Sequence, residues 1–305
     1  MSLQTILGAG GGSATGLARE LSYYPDRIRL VSRNPKPVNA TDELFRADLT
    51  SAQMTDLAVA GSAIVYLVVG LPYRTKIWQA HWPTIMQNVI AACARHGAKL
   101  VFFDNVYMYG RVNGWMTEET PFNPVSQKGR VRAQIAQLLL DAMHAGQVTA
   151  LIARSADFYG PYVANSFAEA LVFSKLRYAK RASWLLNDQV RHSLTLVADA
   201  VRATAVLGNT PTAYGQTWHL PTNRAALTGR QFIEQAARAY RVAPAYTVLS
   251  NWMVRLGGLF NLTIAESREL LYQNEAEYLF DSQKFEDQFF AATPYPEGIR
   301  QSAVL

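Results

Sequence analysis

Residues 4–21 read QTILGAGGGSATGLAREL, in which an apolar run leads into a cluster of glycines and then into a helical pattern. Small residues recur there in the spacing G-x-x-G-x-x-A. The first glycine permits a tight turn, the second lets the backbone approach a pyrophosphate, and the alanine is small enough for close helix packing. The amino-terminal amides of the helix complete an anion site. The stretch predicts a dinucleotide-binding turn formed by Gly8, Gly11, Gly12, Ser13 and Ala14.

Further apolar runs follow along the first half of the chain. They are short, rich in valine, isoleucine and leucine, and apolar on both faces, which is typical of buried parallel strands. The segments between them carry apolar residues at helical spacing. Strict alternation of strand and helix implies right-handed crossovers. We therefore predict an α/β fold, a Rossmann-type doubly wound parallel sheet with a smaller carboxyl-terminal substrate lobe. The predicted strands after the first are RIRLVS, AIVYLVV, AKLVFFD and VTALIAR.

The alternation loosens after about residue 155 into longer helices and loops. We predict a dinucleotide-binding domain over residues 1–155, to which later segments near residues 190–220 return. Residues 156–305 are expected to form mainly a substrate-binding lobe. Ligands of such sheets bind beyond the carboxyl ends of the strands, so the site residues are expected there.

The composition excludes several classes of protein. The formal charge of +6 is spread along the chain without basic runs, which argues against a nucleic-acid partner. Cys93 is the only cysteine, so the chain has no internal disulfide and no cysteine-rich metal site, and its histidines form no HExxH motif. No stretch approaches the ~20 apolar residues of a membrane span. We expect a cytoplasmic protein with a small-molecule substrate, no metal and no membrane partner.

The end of the second predicted strand bears on the choice of dinucleotide. An acidic residue at this place usually binds the ribose hydroxyls of NAD, whereas an arginine pairs with the 2′-phosphate of NADP. Ser32 and Arg33 occupy the place here. The sequence favours NADP as the cofactor, with NAD as the alternative. Under a second interpretation Arg33 is a solvated loop cation.

Several motifs, taken together and in order, resemble those of the extended short-chain dehydrogenases/reductases, the group of NAD-dependent epimerases and dehydratases. The resemblance implies that Asp48 accepts a hydrogen bond from the adenine amino group, with Leu49 beside it, and that Ser155 contacts the cofactor. An aspartate that ends a strand is also a common turn former, so Asp48 has a structural alternative. The motifs are GAGGGSATGLAREL, RADLTS, VYMYG, TEETPFNPVS, IARSADFYGP, SLTLVADAVRATAVL, TWHLPTNRAALTGRQFIEQAARAY and PYPEGIR.

The chain departs from the family in the stretch NPVSQKGRVRAQ, residues 123–134. Family members carry Tyr-x-x-x-Lys at the start of this helix and a serine or threonine in the loop after the fifth strand. The corresponding residues here are Lys128, Arg132 and Asn105. Cations at a helix amino terminus face the positive end of the peptide dipoles, so their presence requires compensation. Lys128 and Arg132 share one helix face, which in this fold borders the cofactor.

The replacements suggest altered roles. In the family the tyrosine exchanges a proton with the substrate oxygen while hydride moves to or from nicotinamide. Lys128 is the candidate for that proton exchange, since the adjacent guanidinium, the helix terminus and an oxidised nicotinamide all favour proton release. Arg132 offers fixed donors for ribose hydroxyls, and Asn105 an amide donor for a carbonyl oxygen. Tyr107 is a further candidate for the acid.

The resemblance also suggests substrate contacts and an assembly. Asp157 falls where many relatives place a substrate-contacting asparagine, and Phe158 and His192 lie in the expected substrate lobe. Two helices correspond to the pair through which the family commonly dimerises, which predicts a homodimer. Two functions remain open. The chain is an oxidoreductase, epimerase or dehydratase with an altered proton-transfer site, or it is a catalytically silent NADP-binding redox sensor in which Lys128 and Arg132 are surface cations.

Overall fold

The computed structural model of the chain describes residues 2–161, 163 and 166–303. The chain divides into two compact units, each built from separate stretches. The first unit comprises the chain up to Met108, Lys128–Arg154 and Ala200–Trp218. The second comprises Tyr109–Gln127, Ser155–Asp199 and the chain from His219 onward. The chain therefore leaves the first unit and returns to it twice.

Strands occur in both units. In chain order they are Leu3–Leu7 (β1), Arg27–Ser32 (β2), Glu43–Arg46 (β3), Ile64–Leu67 (β4), Lys99–Asp104 (β5), Trp115–Met116 (β6), Ala150–Arg154 (β7), Asp157–Tyr159 (β8), Ala182–Leu185 (β9), Arg191–His192 (β10), Leu194–Leu196 (β11), Thr217–His219 (β12), Leu227–Thr228 (β13), Tyr246–Leu249 (β14) and Leu279–Phe280 (β15).

Helices separate most of these strands. The α-helices are Gly12–Leu21 (α1), Ala52–Val59 (α2), Thr75–His96 (α3), Gln127–His144 (α4), Ser174–Leu176 (α5), Val197–Gly208 (α6), Gly229–Tyr240 (α7), Asn251–Phe260 (α8), Leu262–Ser267 (α9), Gln283–Glu286 (α10) and Tyr295–Ala303 (α11). Short 3₁₀ segments cover Tyr107–Tyr109, Pro211–Ala213 and Arg268–Asn274, and a π-helical segment covers Glu169–Phe173.

The central sheet is seven-stranded, in the order β12-β7-β5-β4-β1-β2-β3. Every neighbouring pair from β7 to β3 runs parallel. Strand β1 lies between β4 and β2, so that Leu7 is in register with both Leu67 and Val31. The strand order reverses beside β1, and such a switch point is where open α/β sheets bind ligands. The glycine turn follows β1 directly and therefore lies at this point.

Helix α1 shows why the first strand and helix pack as they do. Its buried residues Ala14, Leu17, Ala18 and Leu21 recur at the spacing of one helix face. An added Cβ on Gly16 would lie 3.2 Å from a methyl group of Val201 in α6, so small residues let these helices approach closely. The apolar stripe thus fixes α1, and with it the position of the glycine turn.

The second unit is built on short strand pairs, in which β8 pairs with β11, β9 with β14, β10 with β13, and β6 with β15. Its core clusters aromatic and aliphatic side chains around Trp184 and Phe232. Helix α7 begins with a capping box in which Thr228 and Gln231 exchange hydrogen bonds between side chain and backbone. These pairs are too short to stand alone, so packing in the core stabilises them.

The fold class predicted from the sequence is confirmed. The five predicted strands correspond to β1, β2, β4, β5 and β7. Strands β3 and β12 were missed. The four residues of β3 alternate between half-buried and exposed, and β12 has three residues, so neither forms a continuous apolar run. Within the described part of the chain no helix is both long and apolar enough to cross a bilayer.

Replacing Gly8 by alanine should destabilise the first unit. The glycine has φ +100°, and an added Cβ would lie 2.6 Å from Cα of Val69. Backbone strain and the clash together should cost on the order of 3 kcal/mol in free energy of unfolding. Gly61 is a matched control, because it has φ +76° and open space around an added Cβ. Gly61→Ala should cost only about 1 kcal/mol. Urea unfolding measures both, and equal losses would contradict the clash.

Candidate functional site

The turn after β1 leaves space over its backbone. The amides of Gly8 and Ala9 both donate to the carbonyl of Val31, at 2.9 Å each, which ties the turn to β2. An added Cβ on Gly10, which has φ +141°, or on Gly11 would meet nothing within 4 Å. Helix α1 has no side-chain cap and no acidic residue in its first turn. The open space and the uncapped amides together suit a bound phosphate.

Gly12, Ser13 and Ala14 open α1 as the spacing predicted. The role of Gly10 was not predicted. In the run GAGGG any of the glycines could take a positive φ, and the sequence has no signal that singles out one of them.

The ends of β2 and β3 carry the residues predicted to contact the ribose and adenine. The Ser32 hydroxyl accepts a hydrogen bond from the Asn34 amide at 3.2 Å, and Arg33 is exposed. Asp48 accepts from the amide and the hydroxyl of Thr50, at 3.0 and 2.8 Å. These bonds hold the pKa of the Asp48 carboxyl below its ordinary value, and the charge of Arg33 acts in the same direction. Asp48 therefore shapes a turn.

Leu49 is buried, and its carbonyl accepts from the Asn88 side chain at 2.9 Å. Since Asn88 lies in α3, this bond connects the loop after β3 to that helix. The adenine contacts of Asp48 and Leu49 remain a prediction.

Arg132 is buried against an acidic partner. Its Nε lies 2.9 Å from Oδ1 of Asp104, and Nη2 contacts the same oxygen. Arg154 donates from Nε to the other oxygen, Oδ2, at 3.3 Å. The Asp104 side chain has 0% exposure and the two arginines 4% and 2%. One carboxylate at the end of β5 therefore balances two buried guanidiniums, one from α4 and one from β7.

Aromatic rings surround the Arg132 guanidinium as well. Its Cζ lies 4.7 Å from the Trp82 ring centroid, 5.0 Å from Phe102 and 6.0 Å from Trp78. A cation over such ring faces is stabilised where water is excluded. Trp82, a buried residue of α3, thus also contacts a charge.

Lys128 is fully buried in the first turn of α4. Its Nζ donates to the hydroxyl of Thr75 at 2.8 Å and lies 4.9 Å from the ring centroid of Tyr73. Neither Lys128 nor Arg132 is a surface cation, so the surface placement of these two residues expected under the redox-sensor alternative is wrong. Thr75 and Tyr73 were not predicted. Tyr73 lies in the loop after β4 and Thr75 begins α3, both far from residue 128 in the sequence, and no motif marks them.

The loop after β5 holds the other two candidate catalytic residues. The Asn105 side-chain oxygen accepts from the Tyr107 amide at 3.1 Å, which caps a short 3₁₀ turn. The Tyr107 ring stacks on Trp78 with centroids 6.4 Å apart, and its hydroxyl lies 3.4 Å from that of Tyr73. The first unit therefore gathers Lys128, Asn105 and Tyr107 with two further residues, Tyr73 and Thr75, around the ends of β4 and β5.

The second unit contains the residues predicted to contact substrate. Nε2 of His192 lies 3.0 Å from Oδ2 of Asp157. His192 is buried, whereas the Asp157 side chain is 20% exposed. Tyr278 stacks on the imidazole with centroids 4.4 Å apart, and Phe167 meets it edge-on. The buried imidazole of His192 therefore holds the Asp157 carboxylate in place.

Ser155 and Phe158 lie next to this pair. Ser155 is buried, and its hydroxyl donates to the Ala156 carbonyl at 2.9 Å. Phe158 is half-buried in β8, in register with Thr195 of β11.

Tyr109 belongs to a separate, buried series of hydrogen bonds in the second unit. Its hydroxyl lies 2.9 Å from Nε2 of His219, whose Nδ1 lies 2.7 Å from the Asp281 carbonyl oxygen. A carbonyl only accepts, so Nδ1 carries a proton and donates it to that oxygen.

No cluster of three or more histidine, cysteine or carboxylate side chains suited to a metal ion occurs among the described residues. The first unit brings an ammonium, a side-chain amide and two phenols near the ends of β4 and β5. The glycine turn adds a place for a phosphate.

The family model for NAD dependent epimerases and dehydratases matches residues 5–219, which is more than half of the chain. The chain belongs to the NAD-dependent epimerase/dehydratase family. The resemblance derived from the sequence motifs is thereby confirmed. A search of curated proteins finds no match to this family member.

Solved structures similar to this epimerase/dehydratase family member share its fold at low sequence identity. MoeE5, in complex with UDP-glucose and NAD, is 18% identical with a TM-score of 0.80, over 100% of this chain and 98% of its own. UDP-glucuronic acid 4-epimerase from Bacillus cereus, in complex with NAD, is 15% identical with a TM-score of 0.80, over 100% and 98%.

A third similar structure is DesIV, the dTDP-glucose 4,6-dehydratase of Streptomyces venezuelae, as a double mutant with NAD and DAU bound. It is 14% identical with a TM-score of 0.80, over 100% of this chain and 96% of its own. These likenesses extend the shared fold to the whole length of this epimerase/dehydratase family member.

Replacing Asp104 by asparagine should destabilise the protein strongly. The substitution removes the charge that two buried guanidiniums share, and breaking a buried pair costs about 3–5 kcal/mol. Glu43→Gln is a matched control, because Glu43 also pairs with two arginines, Arg27 and Arg29, but at a partly exposed edge. That change should cost less than about 1 kcal/mol. Urea unfolding checks both values. A loss at Asp104 no greater than at Glu43 would refute the role given to the carboxylate.

Proposed function

We propose that the chain is an NAD(P)-dependent oxidoreductase, epimerase or dehydratase that acts on a small carbonyl or hydroxyl compound. The observation that carries the proposal is the burial of Lys128 in the same unit as Asn105 and Tyr107. The motif resemblance aligns Lys128 with the family's catalytic tyrosine. A buried amine with fixed partners is suited to proton exchange. Nucleotide sugars are the favoured substrate class, since MoeE5 binds UDP-glucose.

The residues of the glycine turn fit a dinucleotide. Side chains at Gly10 and Gly11 would fill the space over the turn, and α1 offers uncapped amides for a pyrophosphate. Gly8, Gly12, Ser13 and Ala14 would shape this contact, with Asp48 and Leu49 on the adenine side and Ser155 near the nicotinamide. A bound nicotinamide dinucleotide supplies the hydride acceptor or donor.

NADP is the proposed preference within this class. The solved structures named above contain NAD. In this chain, however, Ser32 and the exposed Arg33 stand where an acidic residue would bind the ribose hydroxyls. A guanidinium at this place pairs with a 2′-phosphate through charge-assisted hydrogen bonds.

Different side chains of the first unit have different proposed roles at the substrate oxygen. Lys128 gives a proton to that oxygen when a carbonyl is reduced and takes one when a hydroxyl is oxidised. The Asn105 oxygen is engaged with the Tyr107 amide, so the amide nitrogen is its group for donating to the substrate oxygen. Arg132 fixes the first turns of α4 through Asp104, and its remaining N–H groups serve the ribose.

The second unit contributes substrate contacts. His192 holds the Asp157 carboxylate in place, and the exposed part of that carboxylate would accept hydrogen bonds from substrate hydroxyls. Phe158 provides an apolar surface beside it.

A second candidate is a catalytically silent NADP-binding redox sensor. It is favoured by the pairing of Arg132 with Asp104, which uses Nε and Nη2 of the residue at the position of the family's lysine. Both candidate functions require cofactor binding, so they differ only in whether the protein catalyses a reaction.

Replacing Arg33 by alanine should weaken NADPH binding and leave NADH binding unaltered. Loss of hydrogen bonds to a charged phosphate corresponds to a roughly tenfold to hundredfold weaker affinity. Titration of the nicotinamide fluorescence measures both affinities. Arg95→Ala is the control, because Arg95 is an exposed arginine of the same unit that pairs with Asp56. Equal losses for NADPH and NADH at Arg33 would contradict the NADP preference.

Replacing Lys128 by methionine should abolish turnover while preserving cofactor affinity. Methionine fills most of the space, and loss of a proton-exchanging group lowers the rate by about a hundredfold or more. NADPH oxidation with a panel of aldehydes and ketones, including nucleotide-linked 4-ketosugars, measures turnover. Lys76→Met, at an exposed lysine of α3, is the control.

Undiminished turnover in Lys128→Met would disprove the catalytic assignment. If neither the native protein nor the variant reduces any compound, and NADPH and NADP⁺ bind with markedly different affinities, the redox-sensor function is correct.

A further inference from the structure

We propose that Tyr73 and Thr75 are the positioning residues of Lys128, holding its amino group by a ring face and a hydroxyl. This inference rests on the proposed function, in which Lys128 exchanges a proton with the substrate oxygen. It adds two residues, one in the loop after β4 and one at the start of α3, that hold the amino group of Lys128 in place. The Tyr-x-x-x-Lys motif does not include either residue.

The two contacts define the place of Nζ. Thr75 accepts a hydrogen bond from Nζ at 2.8 Å, and the Tyr73 ring centroid lies 4.9 Å from the same atom. A lysine side chain is a flexible four-carbon stem that ends in a point charge, so it needs contacts near its end to hold one position. Proton exchange is sensitive to that position, because the amine must lie within hydrogen-bond reach of the substrate oxygen.

The chemistry of the two partners suits this task. A ring face attracts an ammonium through its quadrupole, and a hydroxyl oxygen accepts one of its hydrogens. Neither group carries a formal charge, so both orient Nζ without cancelling its charge. The two contacts come from different elements, Tyr73 from the loop after β4 and Thr75 from the start of α3.

The segment that contains Tyr73 and Thr75 is held in place by Trp78. Trp78 meets the Tyr73 ring edge-on with centroids 5.5 Å apart, and its indole N–H donates to the Pro72 carbonyl at 3.1 Å. Trp78 also stacks on Tyr107, whose hydroxyl lies 3.4 Å from that of Tyr73. A positioning residue works only if its own rotamer is held, and this packing holds the ring of Tyr73.

A nuclear magnetic resonance experiment tests the placement without any substrate. The chain has seven lysines, and comparison with Lys128→Met identifies the Cε resonance of Lys128 in lysine-labelled protein. The ring face should shift its Cε protons upfield of those of the other lysines. Tyr73→Phe, which keeps a ring, should preserve the shift, and Tyr73→Leu should abolish it. Tyr23→Leu, at a tyrosine with 84% exposure in the same unit, is the control and should change nothing.

The turnover assay with the same carbonyl panel tests the consequence. Tyr73→Leu and Thr75→Val should lower kcat by about a hundredfold, as expected for a misplaced catalytic group, with KM nearly unaltered. Tyr73→Phe and Thr75→Ser, which keep the ring face and the hydroxyl, should restore kcat to within about threefold of the native value. Melting temperatures of all variants identify any loss that is due to unfolding.

The outcomes separate the two claims. Turnover retained in Lys128→Met overturns the catalytic assignment of Lys128 on which the inference rests. Turnover lost in Lys128→Met but retained in folded Tyr73→Leu and Thr75→Val overturns the positioning role. A loss in Tyr73→Phe as large as in Tyr73→Leu overturns it too, because the phenol would then be the reacting group. A Lys128 resonance at the position of the other lysines in the native protein overturns it without any assay.

Discussion

The carboxylate of Asp104 is the charge on which the centre of the first unit depends. It ends β5 and contacts Arg132 of α4 and Arg154 of β7, and all three side chains are almost fully buried. Two guanidiniums without it would stay in a medium that cannot solvate them. Since Arg132 lies one helical turn beyond Lys128, the pair also sets where the first turn of α4 lies. The position of the candidate catalytic lysine therefore depends on an ion pair to which the lysine does not belong.

Aromatic rings also stabilise the two buried cations of α4. Tyr73 faces the ammonium of Lys128, while Trp78 and Trp82 lie near the guanidinium of Arg132. Ring faces favour cations in a space from which water is excluded. They explain how two cations at the amino terminus of a helix become part of the core, where the helix dipole alone opposes them. In the proposed mechanism the same rings serve a second purpose, because a solvated lysine would sample many positions and a ring-bound one keeps its place.

The glycine turn and the first turn of α4 have different proposed roles. The turn keeps the open backbone and the uncapped helix that a dinucleotide needs. Where the family motif has a phenol and an ammonium, the motif resemblance aligns the ammonium of Lys128 and the guanidinium of Arg132. That guanidinium has a buried carboxylate as its partner. In the proposed function, binding of the cofactor and proton exchange thus rest on separate parts of the unit. This separation is what allows the binding and turnover of a variant to be measured independently.

Sequence alone determined the α/β class, the five apolar strands and the glycine turn, because each depends on residues that are neighbours in the chain and repeat with a fixed period. Its resemblance to a family also singled out Lys128, Arg132 and Asn105 as candidate site residues. It missed β3, whose four residues alternate weakly. The partners of the two cations were decided by tertiary structure: Asp104, Tyr73 and Thr75 are 28, 55 and 53 positions from the residues they contact. Such contacts form only when crossovers bring strand ends and helix starts together, and one sequence has no local pattern that records them.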